Sequence, residues 1–495
     1  MIDPALPIPA HVASLAPKDA ADAERLLARV PRQANAIEYR LDLAETPIPP
    51  ARLAALDARP AILTWRTIRE GGAFTGPPDE YRRRVEEAYA TGAVVDVEHA
   101  SGLLDARGAF PDRGRVVVSH HSPFALPEDW ESRLAAMRAT GARGVKLVAG
   151  AADLAASLRI ASLQARAPRD TVSVFPMGPA SPPGRVLSAL AGASLVYGPV
   201  DGLAPTAAGQ IALRDLLEIY RVHEPRAIDA LYGVVGGSPA KSMSPLLYNA
   251  LFRTRGMASL YVPLPVSDFE RESPQAIENV PPIRGMAVTQ PWKLAAARTG
   301  RASEDVARTG AANTLYRERK GWRAENTDVD GVFDPLADHD TGEGREAVIV
   351  GAGGAARAAV VAARRLGYEV LICARRNAEA DRVAGMLGVD SLAWEDLAAS
   401  EADLYLNATP VGWADGDPSA IPERVLEGRP LVFDCVYRKD GRPTSTIRAA
   451  RDARCPVVEG LTMLAAQAVR QAQLFGIPDV TLSEVTEILG RGVGR

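Results

Sequence analysis

The first 220 residues alternate short apolar runs with amphipathic helical stretches. Short apolar runs separated by helices are typical of buried parallel strands. The predicted strands cover residues 11–15, 36–41, 61–65, 94–98, 116–119, 144–148, 171–175 and 194–198. The predicted helices between and after them cover residues 19–30, 80–90, 130–139, 152–165 and 210–220. Eight strands in this order favour a (β/α)8 barrel over the alternative, a doubly wound open sheet.

A short polar linker at residues 221–229 separates this region from a second αβ block, which runs from Leu231 to about Leu336. A segment rich in Gly and Asp then precedes a strand–turn–helix unit. We expect an α/β protein with three parts: a barrel over residues 1–224, a substrate domain over 230–337, and a Rossmann-like domain over 345–460. The closing helices, residues 461–495, are expected to complete the substrate domain.

The Rossmann-like prediction rests on an apolar strand that enters a turn of small residues and leaves as an Ala-rich helix. The turn residues are Gly351, Ala352, Gly353, Gly354 and Ala355. Small residues let backbone amides approach a pyrophosphate at the helix N-terminus. Arg375 and Arg376 follow the second strand, where an NAD site has an acidic residue. Two guanidinium groups there suit a 2′-phosphate and favour NADP over the alternative, a solvated loop pair.

Composition narrows the function classes. Of the 495 residues, 47% are hydrophobic and 24% charged, and the net charge is −4. Arginines are interspersed with acidic residues, so no nucleic-acid-binding face is expected. Neither a membrane span nor a leader peptide is expected. Cys373, Cys435 and Cys455 lie far apart, which favours reduced thiols in the cytoplasm and no metal site. These properties indicate a cytoplasmic enzyme or sensor of small molecules and are compatible with an oligomer.

Polar residues lie at or after the carboxyl ends of predicted barrel strands, where barrel enzymes carry their active sites. These residues are Glu38, Arg40, Asp42, Arg66, Glu70, His120, His121, Lys146, Arg185, Thr206 and Gln210. Lys146 lies between Val145 and Leu147 within a strand, so its side chain should point into the barrel. Desolvation there favours the neutral amine, which is a nucleophile.

Such an amine condenses with a ketone to give an iminium, which accepts electrons from the adjacent carbon. A histidine can remove the proton from that carbon and protonate a leaving hydroxyl, and arginines can clamp a carboxylate. This combination indicates dehydration of a β-hydroxyketone that carries a carboxylate. The alternative is that the lysine extends outward at a strand end and the histidine caps a loop. This alternative explains each residue singly, but it does not explain the whole set of polar residues at the strand ends.

The motifs Glu38-Tyr-Arg40-Leu-Asp42, Arg66-x-x-x-Glu70-Gly-Gly, Ser119-x-His121, Val145-Lys146 and Thr206-x-x-x-Gln210 resemble type I 3-dehydroquinate dehydratase, in order, over residues 11–220. The resemblance implies Lys146 as the Schiff-base lysine, His121 as general acid and base, and Glu70 as the residue that orients it. The choice of His121 over His120 rests on register alone. The substrate-binding residues implied are Glu38, Arg40, Arg66, Arg185, Thr206 and Gln210.

The second block carries its own candidates. Ser244 fits a helix N-cap and Pro245 a first helical residue, which leaves the hydroxyl of Ser242 for a substrate oxygen. Lys293 and Asp328 fit a proton-transferring pair, and equally a surface ion pair.

The motifs Ser242-x-Ser244-Pro, Thr289-x-Pro-x-Lys293, Ala312-Asn313-Thr, Asn326-Thr-Asp328, Gly351-Ala-Gly-Gly-Ala-x-Arg357, Asn407-Ala-Thr and Gly460-Leu-x-Met463-Leu-x-x-Gln467 resemble shikimate dehydrogenase over residues 231–490. The resemblance implies Lys293 and Asp328 as the catalytic dyad. It implies substrate binding by Ser242, Ser244, Thr289, Asn313 and Gln467, with Tyr437 near the carboxylate. The cofactor-binding residues expected are Gly351, Ala352, Gly353, Gly354, Ala355, Arg375, Arg376, Asn407 and Thr409.

Together the two resemblances imply a bifunctional enzyme of aromatic biosynthesis. Its first half would dehydrate 3-dehydroquinate, and its second half would reduce 3-dehydroshikimate to shikimate with NADPH. Two alternatives stay open: a quinate/shikimate dehydrogenase with a weakened dehydratase half, and a non-catalytic metabolite sensor.

Overall fold

The computed structural model describes residues 6–105, 109–237, 242–272, 282–339 and 342–493. The chain forms two compact units, the first built mainly from residues up to Asp229 and the second mainly from Ala230 onward.

The first unit is an eight-stranded parallel barrel. Its strands are β1 (Ala10–Leu15), β2 (Ala36–Arg40), β3 (Ala61–Thr64), β4 (Val94–Glu98), β5 (Val116–Ser122), β6 (Gly144–Gly150), β7 (Val172–Met177) and β8 (Leu195–Pro199). Strands adjacent in sequence pair from β1 to β7, and β8 returns to pair with β1. The return of β8 to β1 confirms the predicted barrel and excludes the open sheet.

The wall of the barrel has one seam, between β7 and β8. In the described residues these two strands form no ladder. Instead, Ser194 N donates to Val172 O at 3.2 Å and Leu195 N donates to Ser173 Oγ at 2.7 Å. The hydroxyls of Ser173 and Ser194 lie 3.0 Å apart. The barrel is therefore nearly closed, and serine side chains join the last two strands.

Helices surround the barrel: α1 (Ala20–Leu27), α2 (Pro50–Ala55), α3 (Pro78–Ala90), α4 (Trp130–Ala139), α5 (Leu154–Gln164), α6 (Pro182–Leu190) and α7 (Leu213–Glu218). Side chains of Asp19 and Asp153 cap α1 and α5. The sequence did not predict α2, which begins with a proline. The last helix was predicted to start at residue 210, but Gln210 bonds back to Thr206 and the helix starts three residues later.

The second unit begins with a mixed six-stranded sheet in the order β10-β9-β11-β13-β14-β12. Its strands are β9 (Ala230–Val235), β10 (Ser259–Pro263), β11 (Ile283–Val288), β12 (Arg301–Ala302), β13 (Thr314–Glu318) and β14 (Gly321–Glu325). Its helices are α8 (Ser244–Thr254), α9 (Lys293–Ala296), α10 (Glu304–Thr309) and α11 (Asp328–Ala337).

A parallel sheet follows in the order β17-β16-β15-β18-β19-β20. Its strands are β15 (Glu346–Val350), β16 (Glu369–Cys373), β17 (Asp390–Leu392), β18 (Leu404–Asn407), β19 (Leu431–Asp434) and β20 (Val457–Val458). Its helices are α12 (Gly354–Arg365), α13 (Asn377–Leu387), α14 (Glu423–Leu426) and α15 (Ser445–Asp452). The order reverses between β15 and β18, and in such sheets ligands bind at the carboxyl ends of the strands beside that reversal. The predicted Rossmann-like fold is confirmed.

Two closing helices, α16 (Gly460–Leu474) and α17 (Leu482–Gly492), pack mainly on the mixed sheet, and Met463 of α16 also joins the core of the parallel sheet. Ala468 of α16 and Leu489 of α17 share an apolar core with Leu247, Tyr248 and Phe252 of α8. No helix in the described part of the chain is both long and apolar enough to cross a bilayer.

Candidate active sites

Lys146 lies within β6, and its side chain is buried inside the barrel, with 3% of the residue exposed. Its Nζ donates to Asp96 Oδ2 at 2.6 Å, and Glu38 Oε1 lies 3.9 Å away. The same nitrogen lies 4.4 Å from the centre of the Tyr197 ring. The buried amine is therefore surrounded by carboxylates and one aromatic face.

Asp96 was not among the predicted site residues. It lies in β4, where Asp96 and Glu98 alternate with the apolar Val95 and Val97, so both carboxylates point to one side of the strand. Burial alone would raise the pKa of Asp96, but the charges of Arg66 and Lys146 outweigh burial and hold the pKa well below its usual range. This alternation of acidic and apolar residues was the available sequence signal.

Arg66 lies among three buried carboxylates. Nη2 donates to Asp96 Oδ1 at 2.9 Å, and Nη1 donates to Ser119 Oγ at 2.8 Å. Nη1 also lies 3.2 Å from Glu70 Oε2 and 3.3 Å from Glu98 Oε1. Through these contacts, the guanidinium of Arg66 holds both Asp96 and Glu70 in place.

Two histidines follow each other in β5, and both contact Glu70. His121 Nδ1 lies 3.1 Å from Glu70 Oε2, and its backbone N donates to the same oxygen at 2.9 Å. His120 Nδ1 lies 3.6 Å from Glu70 Oε1. Ser119 pairs with Lys146 across the ladder, and strand alternation puts His121 on the same face as Ser119. His121 therefore faces the side of the strand on which Lys146 lies.

The ring of His121 is neutral over most of the pH range. Burial is the largest effect and lowers its pKa to about 3, the charges of Arg66 and Lys146 lower it further, and Glu70 opposes them. A neutral imidazole has one nitrogen without a proton, so His121 can serve as a base, and its lowered pKa makes it a weak one.

Other predicted substrate residues meet above β1, β2 and β8. Glu38 Oε2 accepts from Ser14 Oγ at 2.5 Å, and Ser14 Oγ lies 2.9 Å from Thr206 Oγ1. Thr206 Oγ1 donates to Gln210 Oε1 at 3.0 Å. Arg40 forms a bidentate pair with Asp42 and donates to Thr206 O at 3.2 Å. Hydrogen bonds thus connect all four predicted residues at one rim, and Ser14 and Asp42 join them.

Arg185 differs from the other arginines of this site. Within the described ranges it forms no salt bridge; its Nε lies 3.4 Å from Ser181 Oγ, and its guanidinium lies 4.9 Å from the centre of the Phe175 ring. Burial lowers its pKa to about 10, and only the more distant charge of Glu38 opposes this. A partly buried guanidinium without a carboxylate partner is suited to bind an anion.

The second unit contains a cavity of about 730 Å³, including its open mouth. Its lining combines polar residues of the mixed sheet with residues of α12, α16 and the loop after β19. The predicted site residues that line it are Ser242, Ser244, Thr289, Lys293, Asn313, Asp328, Ala355, Tyr437 and Gln467.

Lys293 and Asp328 form a close ion pair in this cavity. Lys293 begins α9 and Asp328 begins α11, and Nζ lies 2.5 Å from Asp328 Oδ2. Only 15% and 9% of the two side chains are exposed, so the pair is not a surface ion pair. The other carboxylate oxygen, Oδ1, accepts from Asn313 Nδ2 at 2.8 Å.

A chain of buried hydrogen bonds fixes the amide of Asn313. Tyr248 OH donates to Gln471 Oε1 at 2.8 Å, and Gln471 Nε2 donates to Thr314 Oγ1 at 2.6 Å. Thr314 Oγ1 donates to Asn313 Oδ1 at 2.8 Å. Because Asn313 Oδ1 is an acceptor here, Nδ2 must face Asp328. The sequence did not single out Thr314, Tyr248 or Gln471.

A second branch of this network reaches Gln467. Thr327 N donates to Asn313 Oδ1 at 2.8 Å, and Thr327 Oγ1 donates to Gln467 Oε1 at 3.0 Å. Gln467 and Gln471 are one turn apart on α16 and therefore share a face. That spacing was the sequence signal for Gln471.

The serine motif differs in detail from the prediction. Helix α8 begins at Ser244 itself, Met243 is the residue before it, and Ser242 Oγ accepts from Ser244 N at 3.1 Å. The expectation that Ser244 caps the helix was therefore wrong, and the hydroxyl of Ser242 accepts one backbone hydrogen bond while it lines the cavity. Burial raises the pKa of Tyr437, while hydrogen bonds to Met243 and Ser242 oppose that rise. Ser242 thus connects the start of α8 to Tyr437.

The glycine loop after β15 approaches two neighbouring elements closely. Gly351 has a φ of +128°, and a Cβ there would lie 3.0 Å from Ala408 O. A Cβ on Gly354, the first residue of α12, would lie 3.0 Å from Lys293 Cδ. Glycines therefore let the loop pass close to Ala408 and Lys293, and the backbone amides at the start of α12 form a cradle beside the cavity. Such a cradle fits the pyrophosphate of a dinucleotide.

Asn407, at the end of β18, organises the loop that lies next to the glycine loop. Its Oδ1 accepts from Thr409 N at 2.9 Å and from Thr409 Oγ1 at 2.7 Å, and its Nδ2 donates to Asp434 Oδ1 at 2.9 Å. Burial raises the pKa of Asp434 to about 6, and its three hydrogen-bond donors oppose that rise. Asn407 and Thr409 thus shape the loop beside Gly351.

Arg375 and Arg376 follow the end of β16 and are exposed. Arg376 lies 3.9 Å from Glu379, and 82% of its side chain is accessible. Their donors are available to a phosphate, which fits a cofactor with a 2′-phosphate.

Comparison with known proteins divides the chain in the same way. Residues 11–226 match the family model of type I 3-dehydroquinase, and residues 234–315 match that of the shikimate dehydrogenase substrate-binding domain. The bifunctional 3-dehydroquinate dehydratase/shikimate dehydrogenase of Arabidopsis thaliana, a chloroplastic protein, is 28% identical over 476 residues, which are 90% of this chain and 78% of that protein.

The NADP(+) shikimate dehydrogenase of Microcystis aeruginosa is 32% identical over 275 residues, which are 52% of this chain and 96% of that enzyme. Among solved structures, the dehydroquinate dehydratase and shikimate dehydrogenase of S. pombe AroM aligns with 97% of both chains, at 21% identity and a TM-score of 0.44.

Proposed function

The chain belongs to the type I 3-dehydroquinase family over its first half and to the shikimate dehydrogenase family over its second, and we propose that it performs two consecutive reactions of the shikimate pathway. It dehydrates 3-dehydroquinate to 3-dehydroshikimate, and it reduces 3-dehydroshikimate to shikimate with NADPH. The barrel, residues 1–224, carries the first reaction. Residues 230–337 with 461–495 bind the substrate of the second, and residues 345–460 bind NADP. One observation supports this most: each half has its own lysine, buried in the barrel and partly buried in the second unit, with a carboxylate at 2.6 Å or less.

In the barrel, Lys146 attacks the ketone of 3-dehydroquinate, and water leaves as the iminium forms. Asp96 holds the amine toward the barrel interior, where it lies 3% exposed. His121 is neutral because burial lowers its pKa to about 3, so one ring nitrogen carries no proton and can accept the proton from the carbon next to the iminium. The iminium makes that carbon acidic, which favours transfer to a weak base. Glu70 holds Nδ1 of the same ring and orients it. The proton then passes to the leaving hydroxyl.

Arg185 is the residue that we assign to the substrate carboxylate, because it is partly buried without a carboxylate of its own. Glu38, Thr206 and Gln210 offer oxygen atoms and an amide to the ring hydroxyls. Arg40 and Arg66 are already paired with carboxylates. Their main contribution is to hold Asp42, Asp96 and Glu70 in position.

In the cavity of the second unit, Lys293 donates a proton to the ketone oxygen of 3-dehydroshikimate. Asp328 holds Lys293 Nζ in position, and the lysine regains its proton from solvent after the transfer. Ser242, Ser244, Thr289 and Gln467 line the same cavity and bind the hydroxyls, with Tyr437 near the carboxylate. NADPH, when bound, supplies the hydride.

The residues that would hold NADP fit that group. The loop from Gly351 to Ala355 leads into the N-terminus of α12, where backbone amides can bind a pyrophosphate, and Asn407 and Thr409 shape the neighbouring loop. Arg375 and Arg376 offer exposed donors to the 2′-phosphate.

Trapping with borohydride tests the first assignment. With 3-dehydroquinate present, reduction should attach the ring to Lys146, which mass spectrometry of peptides locates. Lys146→Ala should abolish dehydration and spare shikimate oxidation, and Lys293→Ala should do the reverse. Ligand binding without an adduct would support a metabolite sensor instead. Assays with shikimate and quinate, each with NADP and NAD, separate a shikimate dehydrogenase from a quinate/shikimate dehydrogenase.

We propose a cytoplasmic location for this pair of activities. The three cysteines, Cys373, Cys435 and Cys455, are all unpaired in the described structure, which suits a reducing compartment.

A further inference from the structure

The ring of Tyr197 lies under the reactive nitrogen of the barrel. Tyr197 belongs to β8, is 6% exposed, and its ring centre lies 4.4 Å from Lys146 Nζ. Its hydroxyl is buried and has no hydrogen-bond partner among the described residues. Tyr197 therefore offers the site its ring face rather than its hydroxyl.

Charged groups face Lys146 from the other strands. Asp96 on β4 accepts its hydrogen bond at 2.6 Å, and Glu38 on β2 lies 3.9 Å away. His121 on β5 and Arg66 after β3 complete these surroundings. Both carboxylates act on the ammonium form through its N–H groups.

Iminium formation changes those contacts. When the ammonium condenses with a ketone, the C–N bond forms and two of the three protons on nitrogen leave with the ketone oxygen as water. One N–H and the positive charge remain. The nitrogen can then donate to one carboxylate oxygen only. The attraction of a positive charge to an aromatic face needs no N–H, so it persists.

We infer that the ring face of Tyr197 stabilises the positive nitrogen of Lys146 in the iminium, which makes Tyr197 a catalytic residue of the dehydration. This inference rests on the proposed function of Lys146. It assigns to Tyr197 a stabilising contact that does not depend on the two N–H groups lost when the covalent bond forms.

The fraction of protein trapped by borohydride at a fixed, subsaturating concentration of 3-dehydroshikimate measures the stability of the iminium. Tyr197→Leu should lower the adduct's formation constant by up to about tenfold, because the iminium, with a single N–H, depends on the ring face more than the free ammonium does. Tyr197→Phe should rescue it, because the ring face is kept. Tyr39→Leu is the matched control: Tyr39 is also a fully buried barrel tyrosine with an unpartnered hydroxyl, but it lies on β2 between Glu38 and Arg40 and so faces away from the site. It should leave trapping unchanged.

A series of fluorinated phenylalanines at position 197 separates electrostatics from packing. Each fluorine weakens the negative face of the ring at nearly constant size, so the formation constant should fall stepwise along the series. A flat series, or equal losses in Tyr197→Leu and Tyr39→Leu, would overturn the inference while leaving the role of Lys146 intact. Absence of any adduct in the unaltered protein would instead remove the proposed function of Lys146, and this inference with it.

Discussion

Asn313 donates from Nδ2 to Asp328 Oδ1 at 2.8 Å, on the side of the carboxylate away from Lys293. The orientation of that amide is fixed from behind, because its Oδ1 accepts from both Thr314 Oγ1 and Thr327 N at 2.8 Å. Asp328 is therefore held by two donors at once, and its geometry depends on residues that do not touch the carboxylate.

Thr314→Val should slow the dehydrogenase. The substitution removes the donor to Asn313 Oδ1 and leaves Gln471 Nε2 without its acceptor, so the amide can turn away from Asp328. Steady-state oxidation of shikimate should show kcat lowered about tenfold, the effect of one lost hydrogen bond, with KM nearly unchanged. Thr254→Val, at the end of α8, is the control. Equal effects of the two substitutions would contradict the argument.

Asp96→Asn should impair the barrel alone. Lys146 and Arg66 would each lose a buried carboxylate partner, at 2.6 and 2.9 Å. Dehydration of 3-dehydroquinate, followed by absorbance of the enone, should fall about 100-fold because the amine is no longer held in position. Breaking the buried ion pairs should also destabilise the barrel by ~3–5 kcal/mol.

Asp57→Asn is the comparison for that experiment, since Asp57 pairs with Arg59 in a half-exposed position. It should change stability by no more than about 1 kcal/mol. A loss of shikimate dehydrogenase activity in Asp96→Asn would argue against independent sites.

His121 should make the barrel less stable in acid. Its folded-state pKa is lowered to about 3, chiefly by burial, below the ordinary value of 6.5. As pH falls from 6.5 toward 3, the unfolded chain takes up a proton that the folded barrel excludes, so the free energy of unfolding falls across that window. Above pH 6.5 the ring is neutral in both the folded and the unfolded state, so this loss of stability is absent.

His121→Gln should flatten that dependence. Hydrogen exchange of peptides from β5 and β6 in the full chain, compared at pH 7 and pH 5, reports the opening free energy of this region. The unaltered protein should lose more protection at pH 5 than the variant does, after correction for intrinsic exchange. Identical losses would mean that the ring titrates normally in the folded state.

Arg375→Ser and Arg376→Ser should alter cofactor choice rather than turnover. Each removes exposed donors that we assign to the 2′-phosphate, so the KM for NADPH should rise roughly 10- to 100-fold per substitution. The KM for NADH should hardly change. Arg382→Ser, a nearby arginine of α13 paired with Glu379, is the control. A parallel rise for NADH would place these arginines elsewhere in the cofactor site.

The barrel strands could be predicted within three residues of their positions because buried parallel strands are continuous apolar runs. The helix beginning at Pro50 was missed because it is short and not amphipathic over its length. Asp96 was missed for a different reason: two carboxylates inside an apolar strand acquire a role only through register with Lys146, two strands away.

The hydrogen-bond network around Asn313 could not be predicted from the sequence for the same reason. Thr314 and Gln471 are 157 positions apart, and their 2.6 Å contact depends on how α16 packs on the mixed sheet. Local propensity carries no information about such a contact. The motif that contains Asn313 indicated a site, but only the packed helix shows which way its amide faces.

The join between β7 and β8 consists of one backbone hydrogen bond and contacts of serine hydroxyls, where every other pair of neighbouring barrel strands in the described structure shares a backbone ladder. Phe175 of β7 and Tyr197 of β8 lie on either side of this join, so the join runs beside the amine of Lys146. Local opening of the barrel should begin between β7 and β8. It would loosen the packing of Phe175 and Tyr197 before any other part of the barrel wall.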